Sequence, residues 1–255
     1  MNIYVCMKQV PDTAADIAIG DDLDLHEAVK QVINPYDEYA IEEAVRTAAK
    51  EGGEVVVVTV GKESAKKILR SALSVGADRG IHVVLDDPLP DSQTIARLLE
   101  TAIVNDGKAD LIFTGKQSVD AEGMQTQYRL AGALGIPVAT EVSAFALENG
   151  KAVVTCEAGS GEQDIVELTL PCVVAATKGL NEPRYPKLPD IMRAGKKEIK
   201  VIAADDLNIP PEPTGAKVVK LEPVPDRGQA QILEGPLPDQ VRTLVRLLRE
   251  DKKVL

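Results

Sequence analysis

Val55-Val56-Val57-Val58-Thr59-Val60 runs without a charged residue and stops at Gly61. An alternating strand would leave one face in water, whereas this run is apolar on both sides. It fits a strand of a parallel sheet covered by helices on each face. The neighbouring segments agree. Upstream, Ile3 to Met7 reads as a strand, and Pro35 to Lys50 reads as a helix with Ala40, Ile41, Ala44, Val45 and Ala48 on one face. Asn34 is a good N-cap, Pro35 suits the first helical position, Asp37 stands three residues after the cap, and Gly52-Gly53 ends the helix.

Downstream the alternation continues. Helices are expected over Ser64 to Val75, Ser92 to Val104 and Gly123 to Leu134, with strands over Ile81 to Leu85 and Asp110 to Thr114. Such a sequence of elements predicts an α/β fold, a parallel sheet flanked by helices. The pattern then changes. Val138 to Leu147, Lys151 to Glu157 and Gln163 to Leu170 are β-rich runs separated by Asn149-Gly150 and Gly159-Ser160-Gly161, which predicts an added antiparallel β-hairpin region. Cys172 to Thr177 reads as one more buried strand.

Residues 1–205 are expected to form the α/β domain and 206–255 an extended C-terminal arm. In the arm, Pro210, Pro211, Pro213, Pro223, Pro225, Pro236 and Pro238 interrupt regular structure. One amphipathic helix, Gln240 to Arg249, carries Val241, Leu244, Val245 and Leu248 on one face, as an arm that packs on a partner chain would.

The 255 residues are 44% hydrophobic but only 3% aromatic, with no Trp, so the core is aliphatic. The net charge of -11, without a basic stripe, argues against nucleic-acid binding. Cys6, Cys156 and Cys172 form no C-x-x-C pair and lie in apolar runs, as buried reduced thiols do. His26 and His82 are too few for a His-based metal site. No run reaches the about 18 apolar residues of a membrane span. Met1 leads straight into Ile3-Tyr4-Val5-Cys6, so a cytoplasmic location without membrane insertion is expected.

Ligands of open α/β sheets bind beyond the carboxyl ends of the strands. Four segments fall there: Cys6 to Gln9, Asn34 to Asp37, Thr59 to Gly61, and Gly115 to Thr126. The last is the most informative, a strand end at Thr114-Gly115 followed by a polar loop and by Gly123 at a helix start. Small residues and free helical N–H groups there suit a phosphate. Gly61-Lys62-Glu63-Ser64 and Gly115-Lys116-Gln117-Ser118 resemble part of a P-loop, but Val56 and Asp110 stand where its upstream glycine belongs. The G-x-G-x-x-G fingerprint and the G-x-S-x-G elbow are both missing. Nothing in the pattern demands an enzyme.

The run Leu180-Asn181-Glu182-Pro183-Arg184-Tyr185-Pro186-Lys187-Leu188-Pro189-Asp190-Ile191-Met192 resembles the signature of electron transfer flavoprotein beta subunits, followed here by Arg193, Lys196 and Lys197. Val5-Cys6-Met7-Lys8-Gln9-Val10-Pro11-Asp12, Asn34-Pro35-Tyr36-Asp37-Glu38, Gly76-Ala77-Asp78-Arg79 and Thr114-Gly115-Lys116-Gln117 match in family order. The resemblance covers about residues 1–205; the arm matches only in character. It implies an adenine nucleotide alpha-hydrolase-like fold and an electron-carrier subunit rather than an enzyme. It also implies an alpha subunit that holds the redox-active FAD.

The resemblance further implies an AMP site, replaced by a second FAD in electron-bifurcating members. Carried over, its binding residues are Cys6, Asn34, Pro35, Tyr36, Asp37, Val60, Gly115, Lys116, Gln117, Ser118, Val119, Asp120, Ala121, Glu122, Gly123, Met124, Gln125 and Thr126. A recognition loop near 178–197 is implied to dock acyl-CoA dehydrogenases or related flavoprotein dehydrogenases, through Leu180, Asn181, Glu182, Pro183, Arg184 and Tyr185, with Leu180 as the exposed anchor. Gln125-Thr126 favours the AMP type, while Gly123-Met124 fits neither type cleanly. The competing readings are an NADH-oxidising bifurcating subunit, and a stand-alone adenine-nucleotide module or ATP-using enzyme.

Overall fold

The valine run occupies strand β4 (Glu54–Gly61) in the computed structural model, which describes residues 1–15, 29–86, 90–209, 218–222, 228 and 230–254. Val55, Val56, Val57 and Val58 are each at most 1% exposed, and full burial of such side chains contributes about 1.5–3 kcal/mol apiece. β4 lies between β1 (Asn2–Cys6) and β5 (Arg79–Val84), and pairs with both in parallel.

The remaining strands are β2 (Gln9–Pro11), β3 (Gln31–Ile33), β6 (Leu111–Gly115), β7 (Val138–Glu148), β8 (Lys151–Gly159), β9 (Glu162–Thr169), β10 (Cys172–Ala176) and β11 (Ile199–Ala203). The helices are α1 (Pro35–Glu51), α2 (Lys66–Val75), α3 (Ser92–Asp106), α4 (Thr126–Leu134), α5 (Leu188–Ala194) and α6 (Leu237–Arg246). The main sheet runs β11-β5-β4-β1-β6-β10-β7-β8-β9, and β2 with β3 forms a small antiparallel ribbon beside it. Pairing is parallel from β11 to β7 and antiparallel across β8 and β9.

Two aliphatic cores sandwich the sheet. Ile3, Val5, Val55 and Val57 face α1 and α2 through Ala40, Ile41, Ala44, Ile68, Leu69 and Leu73. Tyr4, Cys6, Val56 and Val58 face α3 and α4 through Leu98, Leu99, Ile103 and Leu130. Strand side chains alternate sides, so consecutive valines feed both layers. At the amino ends of the strands, Asp106 accepts from Tyr4 Oη (2.8 Å) and from both terminal nitrogens of Arg79 (3.0 and 2.7 Å). Asp78 Oδ2 accepts from Val55 N at 2.8 Å. The Asp78-Arg79 motif thus ties strands together at the end opposite the candidate site.

Beside β2, β3, α5 and β11, which the sequence pattern does not announce, three features differ from it. The helix expected from Gly123 begins at Thr126, because Glu122 and Met124 both take φ of 49°, which no helix accommodates. The last helix begins at Leu237 rather than Gln240, with Pro238 in its first turn where a missing N–H costs nothing, and it is followed by a π turn over Leu247–Asp251. Cys156, expected to be buried, is only partly so, whereas Cys6 and Cys172 are buried.

The described residues divide into two compact units, Met1–Leu221 and Glu222–Leu255. Within the second, Leu237, Val241 and Leu244 are exposed along one side of α6. Pro210, Pro211, Pro213, Pro223, Pro225 and His26 lie outside the described residues. Among the described residues no helix is long and apolar enough to cross a membrane.

Candidate functional site

From β1 the chain builds outward to β4 and β5, then crosses to β6 on the other side of β1. Strand order therefore reverses between β1 and β6, the place where open α/β sheets form a binding crevice. The residues just past both strands meet the start of α1 here. Asn34 has the backbone position of an N-cap, and its carbonyl accepts from Asp37 N at 2.8 Å. Its side chain does not cap the helix. Instead Nδ2 donates to Gln117 O (2.8 Å) and Asp37 Oδ1 (3.0 Å), while Oδ1 accepts from Val119 N (3.1 Å).

Asp37 completes the junction. Its Oδ2 accepts from Lys8 N at 2.7 Å and its Oδ1 from Gly115 N at 3.0 Å. Burial pushes its carboxyl up to about 7, opposed by the N–H donors of Lys8, Asn34 and Gly115 and by the Lys8 charge. A Cβ on Gly115 would overlap Asp37 Oδ1 and approach Tyr36 Cβ to 2.7 Å, so this close crossing requires glycine. Burial, and next to it the Asp37 charge, raises the Cys6 thiol far above its ordinary range, which makes it inert packing rather than a nucleophile.

The cations at the site are engaged. Lys8 Nζ donates to both oxygens of Asp120 at 2.8 Å and reaches Ser118 Oγ at 3.4 Å. Lys116 Nζ donates to Glu141 Oε1 and Oε2 at 3.1 and 2.9 Å and sits 5.1 Å from the Tyr36 ring centroid. Glu141 holds φ at 55° inside β7, a strained geometry for glutamate of the kind that sites carry. Thr59 Oγ1 and Thr114 Oγ1, buried at the carboxyl ends of β4 and β6, make no hydrogen bond among the described residues. A ligand hydroxyl or base edge would satisfy such groups.

Of the sequence candidates, Asn34, Asp37, Gly115, Gln117 and Val119 are bonded together, with Ser118 and Asp120 joined through Lys8. Pro35 opens α1, and Tyr36 lies under Lys116. Ala121, Glu122, Gly123, Met124 and Gln125 form an exposed rim leading to Thr126 at the head of α4. Gln125 Oε1 accepts from Arg129 Nη2 at 2.8 Å. Val60 is partly buried on β4, the neighbour of β1. Sequence reasoning included Lys8 in the candidate segment Cys6 to Gln9 without giving it a role, and missed Glu141 and the buried Gln127, whose Nε2 donates to Lys116 O at 2.7 Å. Lys8 had a signal, its position just beyond a strand end. Glu141 had none, since only the fold brings it to Lys116.

The 178–197 segment is held against α1 from its other side. Leu180 is partly buried against the first core, not an exposed anchor. Asn181 Nδ2 donates to Tyr39 O and Glu43 Oε2, both at 2.9 Å. Arg184 meets both oxygens of Glu42, Nε at 2.7 Å and Nη2 at 2.9 Å, and Arg46 Nη2 reaches Glu182 O at 3.3 Å. Burial works against ionised Glu42, but Arg184 and Arg46 prevail and hold its carboxyl below the usual range. Pro183 is half-buried within this turn. The exposed apolar side chains lie beyond it: Tyr185 at 94%, Leu188 at 72%, Met192 at 71% and Ile191 at 50%.

Comparison with known proteins agrees with the motifs. The electron transfer flavoprotein domain model matches residues 22–207. The electron transfer flavoprotein subunit beta of Bacillus subtilis is 38% identical over 259 residues, covering 100% of both chains. Those of Mus musculus and Homo sapiens are each 38% identical over 219 residues, covering 82% of this chain and 84% of theirs. The chain belongs to the family of electron transfer flavoprotein beta subunits.

Proposed function

We propose that this subunit binds AMP at the β1–β6 crevice and docks acyl-CoA dehydrogenase-type partners, so that FAD held by the alpha subunit can shuttle electrons in the cytoplasm. The observation that carries this reading is the buried junction of Asn34, Asp37, Gly115 and Val119 where strand order reverses. It fixes the polar loop Lys116–Gln125 against α1, with the head of α4 beyond it. The unpartnered N–H groups of a helix start suit a phosphate, and the buried hydroxyls of Thr59 and Thr114 suit a nucleoside. An adenine nucleotide alpha-hydrolase-like sheet would present a nucleotide in this way.

Charge favours a monophosphate. Lys8 and Lys116 are neutralised by Asp120 and Glu141, and the exposed Glu122 adds a further carboxylate. A pyrophosphate would bring more negative charge to a site already short of free cations. Docking is supported by the exposed Leu188, Ile191 and Met192 beside Arg193 and Lys196. The apolar side of α6 supports an arm, residues 206–255, that packs on the alpha subunit.

The test is nucleotide content. The chain is co-expressed with its alpha subunit, the purified heterodimer is denatured, and released FAD and AMP are quantified. About one FAD and one AMP per heterodimer fits the carrier reading. Two FAD and no AMP would replace it with the bifurcating, NADH-oxidising alternative.

A further inference from the structure

Glu42 points away from the core-facing side of α1, about 160° around the helix from Ala40 and Ala44. It is nonetheless only 4% exposed, with Arg184 and Arg46 bonded to its carboxylate. Both its oxygens are bound by side chains: Oε1 accepts from Arg46 Nε at 2.6 Å and Arg184 Nη2 at 2.9 Å, Oε2 from Arg184 Nε at 2.7 Å and Arg184 N at 3.3 Å. Backbone and guanidinium of Arg184 are thus fixed by one carboxylate. The Arg46 guanidinium bridges onward to Glu182 O, and Asn181 is pinned by Tyr39 O and Glu43.

A second clamp holds the far side of the segment. Arg70 Nη1 donates to Ala194 O at 2.7 Å and Lys197 O at 2.6 Å, and Lys197 Nζ donates to Leu73 O at 3.0 Å. Between the two clamps, Tyr185, Leu188 and Met192 are mostly exposed. The segment is therefore anchored at both ends and displayed in the middle. Preorganisation of this kind raises affinity by removing the entropy cost of ordering a loop on contact. A buried carboxylate gripped bidentately by a half-exposed arginine is better suited to fixing one geometry than to adding stability.

We infer that Glu42 is the positioning residue of the partner-docking loop: its carboxylate, gripped by Arg184 and Arg46, sets the angle at which Leu188 and Met192 meet a dehydrogenase. This rests on the docking reading above. Glu42 touches neither partner nor nucleotide and acts through Arg184.

The experiment uses the whole heterodimer as varied substrate of an acyl-CoA dehydrogenase reduced by its acyl-CoA, with tryptic cleavage after Lys187 as an independent readout. Leu188→Ala and Glu42→Gln should each raise KM about tenfold with kcat within about twofold. Glu42→Gln alone should also speed cleavage after Lys187, and adding Arg184→Met to it should raise KM no further. If Leu188→Ala raises KM and Glu42→Gln does not, the positioning role is wrong and docking stands. If Leu188→Ala leaves KM unchanged, the docking reading itself falls. Should Glu42→Gln fail to assemble, Arg184→Met, at a half-exposed side chain, must give the same rise in KM, and an unchanged KM overturns the inference.

Discussion

Asp37 Oδ1 lies 3.0 Å from the backbone nitrogen of Gly115, a residue 78 positions further along the chain. Through that one contact the start of α1 and the end of β6 share a buried carboxylate, and the β2–β3 side joins through Lys8 N. The junction is shaped by this crossing, so it can be probed by substitution at Asp37 and Gly115.

Gly115→Ala should damage the site most directly. The added methyl would collide with Asp37 and Tyr36, both held by α1. Overpacking of this kind costs roughly 1–3 kcal/mol. Urea unfolding should show that loss together with reduced AMP per heterodimer, and a variant retaining full AMP would mean the crossing does not shape the crevice.

The pH dependence of stability should carry a mark of Asp37. Its carboxyl is pushed up to about 7 when folded, against about 3.9 for an unfolded Asp. Between those values the folded chain keeps a proton that the unfolded chain has lost. Its contribution is therefore full below the unfolded value, declines as pH rises toward the folded one, and is level above it. Glu42 and Asp106, whose carboxyls are held low by arginine partners despite burial, act in the opposite sense and lose their contribution as pH falls through those lowered values. Asp37→Asn should remove the decline and leave the acid-side loss, at an offset of about 1–3 kcal/mol because its amide would face the Lys8 N–H. Parallel urea-midpoint curves for the two proteins would refute this assignment.

Leu180 and Leu188 should separate cleanly. Leu180 packs on the core and Leu188 is 72% exposed. Leu180→Ala should lower stability by about 1–2 kcal/mol, less than the about 2–5 kcal/mol of a fully buried leucine because it is only partly covered, while Leu188→Ala should stay within about 0.5 kcal/mol. Thermal unfolding of both variants tests the distinction. Equal losses would mean that Leu188 is covered.

Tyr4→Phe reports on the opposite end of the sheet. Burial first, then the Asp106 carboxylate, pushes the Tyr4 hydroxyl up to about 12, and it donates to Asp106 at 2.8 Å. Removing that bond should cost about 1–2 kcal/mol without changing nucleotide content. A fall in AMP would show that the two ends are coupled.

The layered sheet was legible because burial on both faces leaves a local trace: four consecutive valines exclude a strand with one face in water. The start of α1 was legible for the same reason, since Asn34-Pro35 is a local signal. What the Asn34 side chain does was not, because two of its three partners are 83 and 85 residues away. The head of α4 was misread at Gly123, a plausible opener whose neighbours Glu122 and Met124 adopt left-handed backbone. The expectation of an exposed Leu180 failed in the same way, while Leu188 is the exposed leucine of the segment. Both sit in one Pro-rich run, and only the packing of Leu180 on the core distinguishes them.

One helix serves both regions. Asp37 and Glu42 stand five residues apart on α1, about 7.5 Å along its axis, one committed to the crevice and the other to Arg184. Their relation is a phase as well as a distance. A single residue inserted between them would turn one grip about 100° from the other, so no local adjustment could keep both. Over this stretch the chain can exchange outward-facing side chains freely, yet its length is locked, as the tooth spacing of a gear is locked by the wheels it meshes.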